Sequence, residues 1–298
     1  RTFRASSGKF NSKTDAEKLR TACLGKTAVV QSVTRKDKTE RPPKLYDLTT
    51  LQREANRLFD YTAQQTLDYL QSLYEKRLAT YPRTDSRYLT EDMADGLPAL
   101  CSTVAGALSF MAGQPLPVNA AQVVDSSKVT DHHAVIPTAE IASADLAVLP
   151  TGERNILYLI AARLLCAVCE PHTYAETAVT LECGGSAFTT KGRTVTAAGW
   201  KALEKAFFST LKQKTKQEEP APVLPELAEG QRLEDADAIL KQGITSPPAR
   251  FTEDTLLSAM EHASAEDFAA LESVERTGLG TPATRAATIE KLVRSGFV

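Results

Sequence analysis

Apolar positions recur at helical spacing through the middle of this 298-residue chain. Leu51, Ala55, Leu58 and Phe59 predict one amphipathic helix, and Ala63, Thr66, Leu67, Leu70, Leu73 and Tyr74 predict a second that runs to about Arg77. Each starts with a hydroxyl-x-x-amide pattern, Thr49 with Gln52 and Thr62 with Gln65, which reads as a capping box. Both stripes, Tyr74 included, read as core. Leu97, Leu100, Val104 and Leu108 mark a third helix behind a cap at Thr90. Residues 151–169 predict a long, mostly apolar helix, stopped by Glu170-Pro171.

The alternating and β-branched patterns lie elsewhere. Residues 1 to about 44 read as strands. Phe3, Ala5 and Phe10 flank a Ser-Ser-Gly turn, and Thr27 to Thr34 is a β-branched run. That run passes into the charged segment Arg35 to Arg41, a solvated strand end or hairpin, with a DNA contact as the alternative. Residues 175–183 and 187–197, joined by Gly184-Gly185, predict a hairpin. Residues 212–225 are polar and proline-rich and read as a linker. The pattern as a whole predicts an α+β, mostly helical chain of two or three modest domains.

Composition narrows the function classes. The net charge is −2 and the sequence pI about 6.2, so any nucleic-acid-binding surface has to be local. No apolar run approaches membrane-spanning length, and no signal peptide is visible. Cys166 and Cys169 have C-x-x-C spacing, but inside the apolar run of the long helix and without a second pair. With Cys23, Cys101 and Cys183 they read as buried free thiols of a cytoplasmic protein. Beginning with Arg1 and ending at Gly296-Phe297-Val298, the chain reads as an internal piece of a longer protein.

The richest chemistry lies in Ala79-Thr80-Tyr81-Pro82-Arg83-Thr84-Asp85-Ser86-Arg87-Tyr88-Leu89. Pro82 fixes its own φ and pushes Tyr81 out of the helical region. In an extended chain Arg83 points to the same side as Tyr81. A phenol beside a guanidinium suits phosphoryl chemistry: the guanidinium holds the phosphate while the phenol oxygen attacks phosphorus. From Thr80 to Leu89 the segment closely resembles the active-site segment of type IA DNA topoisomerases, the topoisomerase III branch in particular. The resemblance implies that Tyr81 becomes joined to a 5′-phosphate of single-stranded DNA.

A second segment, Lys128-Val129-Thr130-Asp131-His132-His133-Ala134-Val135-Ile136-Pro137-Thr138, resembles the same family. Adjacent histidines without further ligands make a poor metal site. The resemblance instead implies that His132 meets the DNA backbone at the cleavage site. Lys128 sits upstream as a candidate phosphate contact, with a solvated lysine as the alternative. Arg87 and Ser86 are candidate DNA contacts within the tyrosine segment.

Pro247 to Met260 and Gly278 to Ala286 resemble family segments that hold single-stranded DNA, and Gly199-Trp200-Lys201 also matches the family. A glycine-rich loop entering a helix presents free amides and a positive dipole end to phosphate. Thr284 and Arg285 add a hydroxyl and a charge there; the alternative is an ordinary helix start with Pro282 in its first turn.

The resemblance covers nearly the whole chain and implies the arch of a toroidal enzyme. Residues 1–44 and 173–215 would form a β-rich hinge domain, residues 45–172 a helical gate domain, and residues 216–298 part of a helical domain along the DNA groove. It places the Mg²⁺ site of the parent enzyme in an N-terminal TOPRIM domain. No metal is expected in this chain, because Asp235-Ala236-Asp237 has Ile239 where the D-x-D-x-E motif needs glutamate. A free phenol, with a pKa near 10, is a weak nucleophile at neutral pH, so the isolated chain is expected to be inactive. The expected partner is single-stranded DNA, with no membrane, a monomeric state and a place in the bacterial cytoplasm, nucleoid- or plasmid-associated. The competing class is a single-stranded DNA-binding module without catalysis. A recombinase or relaxase would need a histidine cluster or a wider set of arginines, neither of which is apparent.

Overall fold

The computed structural model describes residues 2–114, 116–211, 222–263 and 278–297. Backbone contacts divide the chain into two units. One gathers residues 1–40, 171–198 and 216–248; the other gathers residues 41–170, 199–215 and 249–298.

The first unit is built on an antiparallel sheet of β1 (Lys26–Glu40), β2 (His172–Cys183), β3 (Ser186–Ala197) and β4 (Arg232–Ala236), in the order β3-β2-β1-β4. β2 and β3 form the predicted hairpin, with Cys183 opposite Ser186. Gly184 and Gly185 take φ of +58° and +77°, the conformation a tight two-residue hairpin turn needs at both positions. Val30, Val179 and Leu181 form one small core, and Cys23, Ala28 and Cys183 another. β1 bulges between Val30 and Ser32, and its charged end beyond that point is exposed strand.

Two expectations fail in this unit. Of the described residues among 1–44, read as strands, only residues 26–40 form one; residues 2–12 make a single isolated bridge at Ser6, and residues 13–23 are helix α1 (Lys13–Cys23), capped by Ser12 through a bond from Asp15 N at 3.4 Å. Only Ala16 and Cys23 are buried on it, so its apolar stripe is too thin for periodicity to reveal. Residues 216–248, placed in the sequence reading with the helices to their C-terminal side, contribute β4 to the sheet and group with this unit. Of the expected linker 212–225, residues 212–221 lie outside the described residues.

The second unit is helical. It comprises α2 (Leu48–Phe59), α3 (Ala63–Glu75), α4 (Leu97–Gly106), α5 (Thr151–Ala167), α6 (Trp200–Thr210), α7 (Glu253–His262) and α8 (Pro282–Arg294). One large core joins Leu51, Leu70, Leu73, Val104, Ile136, Ile160 and Leu164. α7 and α8 add a smaller cluster, Leu257, Ala286 and Ile289, against Ala63. The capping box at Thr62 forms as expected: Gln65 N donates to Thr62 Oγ1 at 3.1 Å, and Thr62 N to Gln65 Oε1 at 3.0 Å.

The box expected at Thr49 does not form. The cap is Asp47, whose Oδ1 accepts from Thr50 N at 2.7 Å. Thr49 and Gln52 are buried inside the helix, where Gln52 Nε2 donates to Ala63 O at 3.0 Å. Thr90 also makes no side-chain cap; a short 3-10 turn, Glu91–Met93, intervenes before α4. All five cysteines are free and buried, and burial raises the Cys101 thiol to about 12.

The Tyr69 ring of α3 packs directly over Gly152 of α5. A Cβ there would lie 2.3 Å from Cζ of the Tyr69 ring, so only glycine fits without moving that ring. Gly152→Ala should therefore lower unfolding stability by roughly 1–3 kcal/mol, the usual cost of overpacking, measured by urea denaturation.

Burial pushes the Asp47 carboxyl above the usual range, against the hydrogen bonds from Thr50 that favour its charge. A raised carboxyl contributes stability that is present below the unfolded value of 3.8 and lost as pH rises through the folded value. Asn caps as well as Asp and does not titrate. Asp47→Asn should gain stability relative to the parent as pH rises from about 4, then level off, in paired melts across that range.

Candidate active site

α3 ends in a left-handed cap that aims the chain at Tyr81. Arg77 takes φ of 60°, Arg77 N donates to Tyr74 O at 2.9 Å, and Leu78 N donates to Leu73 O at 2.8 Å. Leu73 and Leu78 are both buried, the apolar contact such a cap ordinarily carries.

From there to Leu89 the chain lies outside any sheet, and its polar groups are satisfied by two neighbouring segments. Thr80 N donates to Ile136 O at 3.0 Å, and Ile136 N donates to Thr80 Oγ1 at 3.0 Å. Thr84 Oγ1 donates to His132 O at 2.7 Å, and Ser86 Oγ to Lys128 O at 2.8 Å. Ala134 N donates to Tyr88 O at 2.9 Å. On the other flank Leu48 N donates to Thr84 O at 3.1 Å, and Arg87 Nε to Leu45 O at 3.1 Å. Burial alternates along the segment: Pro82, Thr84 and Ser86 are buried, Arg83 and Asp85 exposed. That is the period of extended chain, with Tyr81 and Arg83 at same-side positions.

This lacing brings the two sequence motifs together. The rings of Tyr81 and His132 lie 4.2 Å apart between centroids, tilted by 39°. A third ring, Tyr74, meets Tyr81 edge-on at 5.6 Å and 85°. Tyr81 is half-buried, and among the described residues its hydroxyl makes no hydrogen bond. Arg83 and His132 are exposed, and no carboxylate among the described residues pairs with the Arg83 guanidinium. The phenol and the imidazole thus meet at an accessible point of the surface, with the exposed Arg83 two residues along the extended chain from Tyr81.

The segment is braced from beneath. Tyr46 bridges Val135 through its backbone and is almost fully buried. The Arg163 guanidinium stacks 4.2 Å over its ring, donates to its hydroxyl at 2.9 Å and pairs with Glu54. Burial holds the Tyr46 phenol well above its ordinary value.

Lys128 and Lys44 approach the Tyr88 ring at 4.6 and 5.0 Å. Lys128 is also held by Asp125 at 2.6 Å, which raises its pKa. A hydrogen bond from Lys44 lowers the Tyr88 phenol below its usual value. Lys44 carried no signal in the sequence, because a lone lysine after two prolines reads as surface.

Three expected DNA contacts make hydrogen bonds within the protein, two of them from buried side chains and Thr284 from an exposed one. Ser86 is buried and its hydroxyl holds the Lys128 and Tyr88 carbonyls. Arg285 is 3% exposed; its guanidinium donates to Leu279 O, Gly280 O and Thr49 Oγ1 at 3.0–3.2 Å. It fastens α8 to α2 rather than facing a ligand. Thr284 Oγ1 accepts from Thr281 N at 3.0 Å in a capping box, the ordinary helix start held open in the sequence reading. Arg87 keeps a structural bond to Leu45 O and is half-buried.

The donor set does not fit a metal. Among the described residues no three His, Cys, Asp or Glu side chains converge, and Asp235 sits at φ 56° at the end of β4. Among the described residues no helix is long and apolar enough to cross a membrane.

The family profile for DNA topoisomerase matches residues 2–298. DNA topoisomerase 3 of Bacillus licheniformis is 40% identical over 306 residues, covering 97% of this chain and 40% of that protein. DNA topoisomerase 3 of Bacillus subtilis is 41% identical over 292 residues, covering 92% and 38%. The chain thus spans about 40% of the length of these curated relatives. Full-length topoisomerase I from Thermotoga maritima shares the fold, with a TM-score of 0.71 at 23% identity over 98% of this chain and 45% of that one. The two laced motifs, the matching profile and this breadth of identity agree, and the chain belongs to the DNA topoisomerase family.

Proposed function

We propose that this chain is the strand-cleaving part of a type IA, topoisomerase III-like enzyme. The carrying observation is the contact of the Tyr81 ring with the His132 ring at 4.2 Å, with no partner for the Tyr81 hydroxyl among the described residues and Arg83 exposed two residues along the chain. Tyr81 Oη attacks a phosphodiester of single-stranded DNA. An O–P bond forms to the tyrosine as its phenol proton is lost, the bond from phosphorus to the 3′-oxygen breaks, and that departing oxygen takes up a proton to leave as the 3′-hydroxyl. The reverse attack by that hydroxyl reseals the strand. The phosphotyrosine keeps the bond energy, so resealing needs no nucleotide.

Arg83 holds the phosphate and offsets charge that develops on it, while His132 positions a backbone oxygen. Arg87 and Lys128 extend the phosphate track. The helical unit carrying Tyr81 acts as the gate that lifts during strand passage, and the sheet-based unit acts as its hinge. Mg²⁺ enters the proposal only for the full-length enzyme, through acidic residues that this chain does not supply. The enzyme works on DNA in the bacterial cytoplasm as a monomer.

Tyr81→Phe in the full-length enzyme should abolish the covalent DNA adduct and leave single-stranded DNA affinity within about twofold, since one oxygen is lost. Denaturing gels of trapped complexes decide this, and a surviving adduct removes Tyr81 from the role. Arg83→Ala and His132→Ala should each lower the cleavage rate by about a hundredfold, the range for loss of one charge-stabilising donor, with smaller changes in binding. Parental rates in single-turnover cleavage would sink their assignment. The chain by itself should bind single strands weakly, with an affinity that falls steeply with salt, and should not relax supercoiled DNA. Mg²⁺-dependent relaxation by the isolated chain would mean that Asp235 and Asp237 belong to a metal site after all. Binding without an adduct in the full-length protein would favour the single-stranded DNA-binding module instead.

A further inference from the structure

Tyr74 completes the apolar stripe of α3 by spacing, yet it does not behave as a core residue. Leu70 and Leu73 on the same helix are fully buried, whereas Tyr74 is 40% exposed. Among the described residues its hydroxyl makes no hydrogen bond, and the one aromatic ring it meets is Tyr81. The two rings stand 5.6 Å apart at 85°, the edge-to-face arrangement in which ring quadrupoles attract. The Tyr74 carbonyl takes part in the left-handed cap that ends α3, so its backbone is fixed at the point where the chain turns toward the nucleophile.

We infer that Tyr74 is a positioning residue for Tyr81, an inference that rests on the reading of Tyr81 as nucleophile. The Tyr81 backbone is already held through Thr80 and the buried Pro82, so the freedom that remains is rotation of its side chain. His132 and Tyr74 each give that ring a directional contact. An aromatic pair of this kind biases the choice of rotamer by about two- to tenfold. Oriented nucleophiles react faster because the search for the attacking geometry is completed before the substrate arrives, and small misplacements cost up to about a hundredfold. Tyr74 therefore acts on the rate of attack and not on the affinity for DNA. The contribution comes from the ring edge, not from the hydroxyl.

The test compares Tyr74→Phe and Tyr74→Leu in the full-length enzyme, by single-turnover cleavage of a labelled single-stranded oligonucleotide at saturating concentration and by its dissociation constant. Tyr74→Leu should cleave about tenfold more slowly with affinity within about twofold, and Tyr74→Phe should restore the parental rate. Parental cleavage by Tyr74→Leu overturns the inference, as does a Phe variant as slow as the Leu variant. A second readout needs no catalysis: the Hα–Hβ couplings of selectively labelled Tyr81 in this chain should show one dominant rotamer in the parent and in Tyr74→Phe, and averaging in Tyr74→Leu. One dominant rotamer in all three would also overturn it. A Tyr81→Phe control that still forms adducts would instead strike the nucleophile assignment itself, so the two failures are told apart.

Discussion

The stretch from Ala79 to Leu89 has to satisfy its backbone without a sheet or helix of its own. Thr80, Thr84, Ser86 and Tyr88 solve this by bonding to Ile136, His132, Lys128 and Ala134. Each such bond contributes a net of only about 1 kcal/mol, but a buried polar group left unpaired costs about 1–3 kcal/mol. The register between the two segments is therefore tightly specified, since a slip would orphan several groups at once. That register is what places His132 against Tyr81, so their contact depends on hydroxyls engaged in hydrogen bonds within the protein.

Charge follows a similar division. Arg163, Arg285 and Arg53 are spent on the scaffold. Arg163 stacks on Tyr46, Arg285 caps the approach to α8, and Arg53 holds the buried Asp254 at 2.8 Å. Guanidiniums are costly to withdraw from water, and each of these, buried at Arg285 and partly buried at Arg53 and Arg163, has a charged or carbonyl acceptor. Arg83 has none among the described residues and remains exposed. A phosphate meeting Arg83 would not have to displace an internal ion pair, whereas one meeting Lys128 would compete with Asp125.

Much of the helical unit was legible in order. The stripes of α2 and α3, the apolar run of α5 and the capping box at Thr62 are local features, set within a few residues. So was the β2–β3 hairpin, because two glycines with positive φ leave few alternatives. α1 was missed because its buried face is two residues wide, and β4 because a five-residue strand between polar stretches has no periodicity to count. The cap of α2 was displaced to Asp47 because Thr49 and Gln52, equally good capping types, are drawn inward by packing against α3 and α8.

By itself the sequence singled out Tyr81, Arg83 and His132 as candidates for phosphoryl chemistry and the family their segments resemble, since the tyrosine and histidine motifs are unusual in wording and local in extent. Which of the polar residues remain available was decided only in three dimensions. Ser86, Thr284 and Arg285 look like phosphate ligands in one dimension, yet each is consumed by a carbonyl or a helix start. Tyr74 looks like core and instead stands half-exposed against Tyr81. The physical reason is common to all four. A side chain's role is set by what competes for its hydrogen bonds and its surface, and those competitors range from Thr281, 3 residues from Thr284, to Thr49, 236 residues from Arg285.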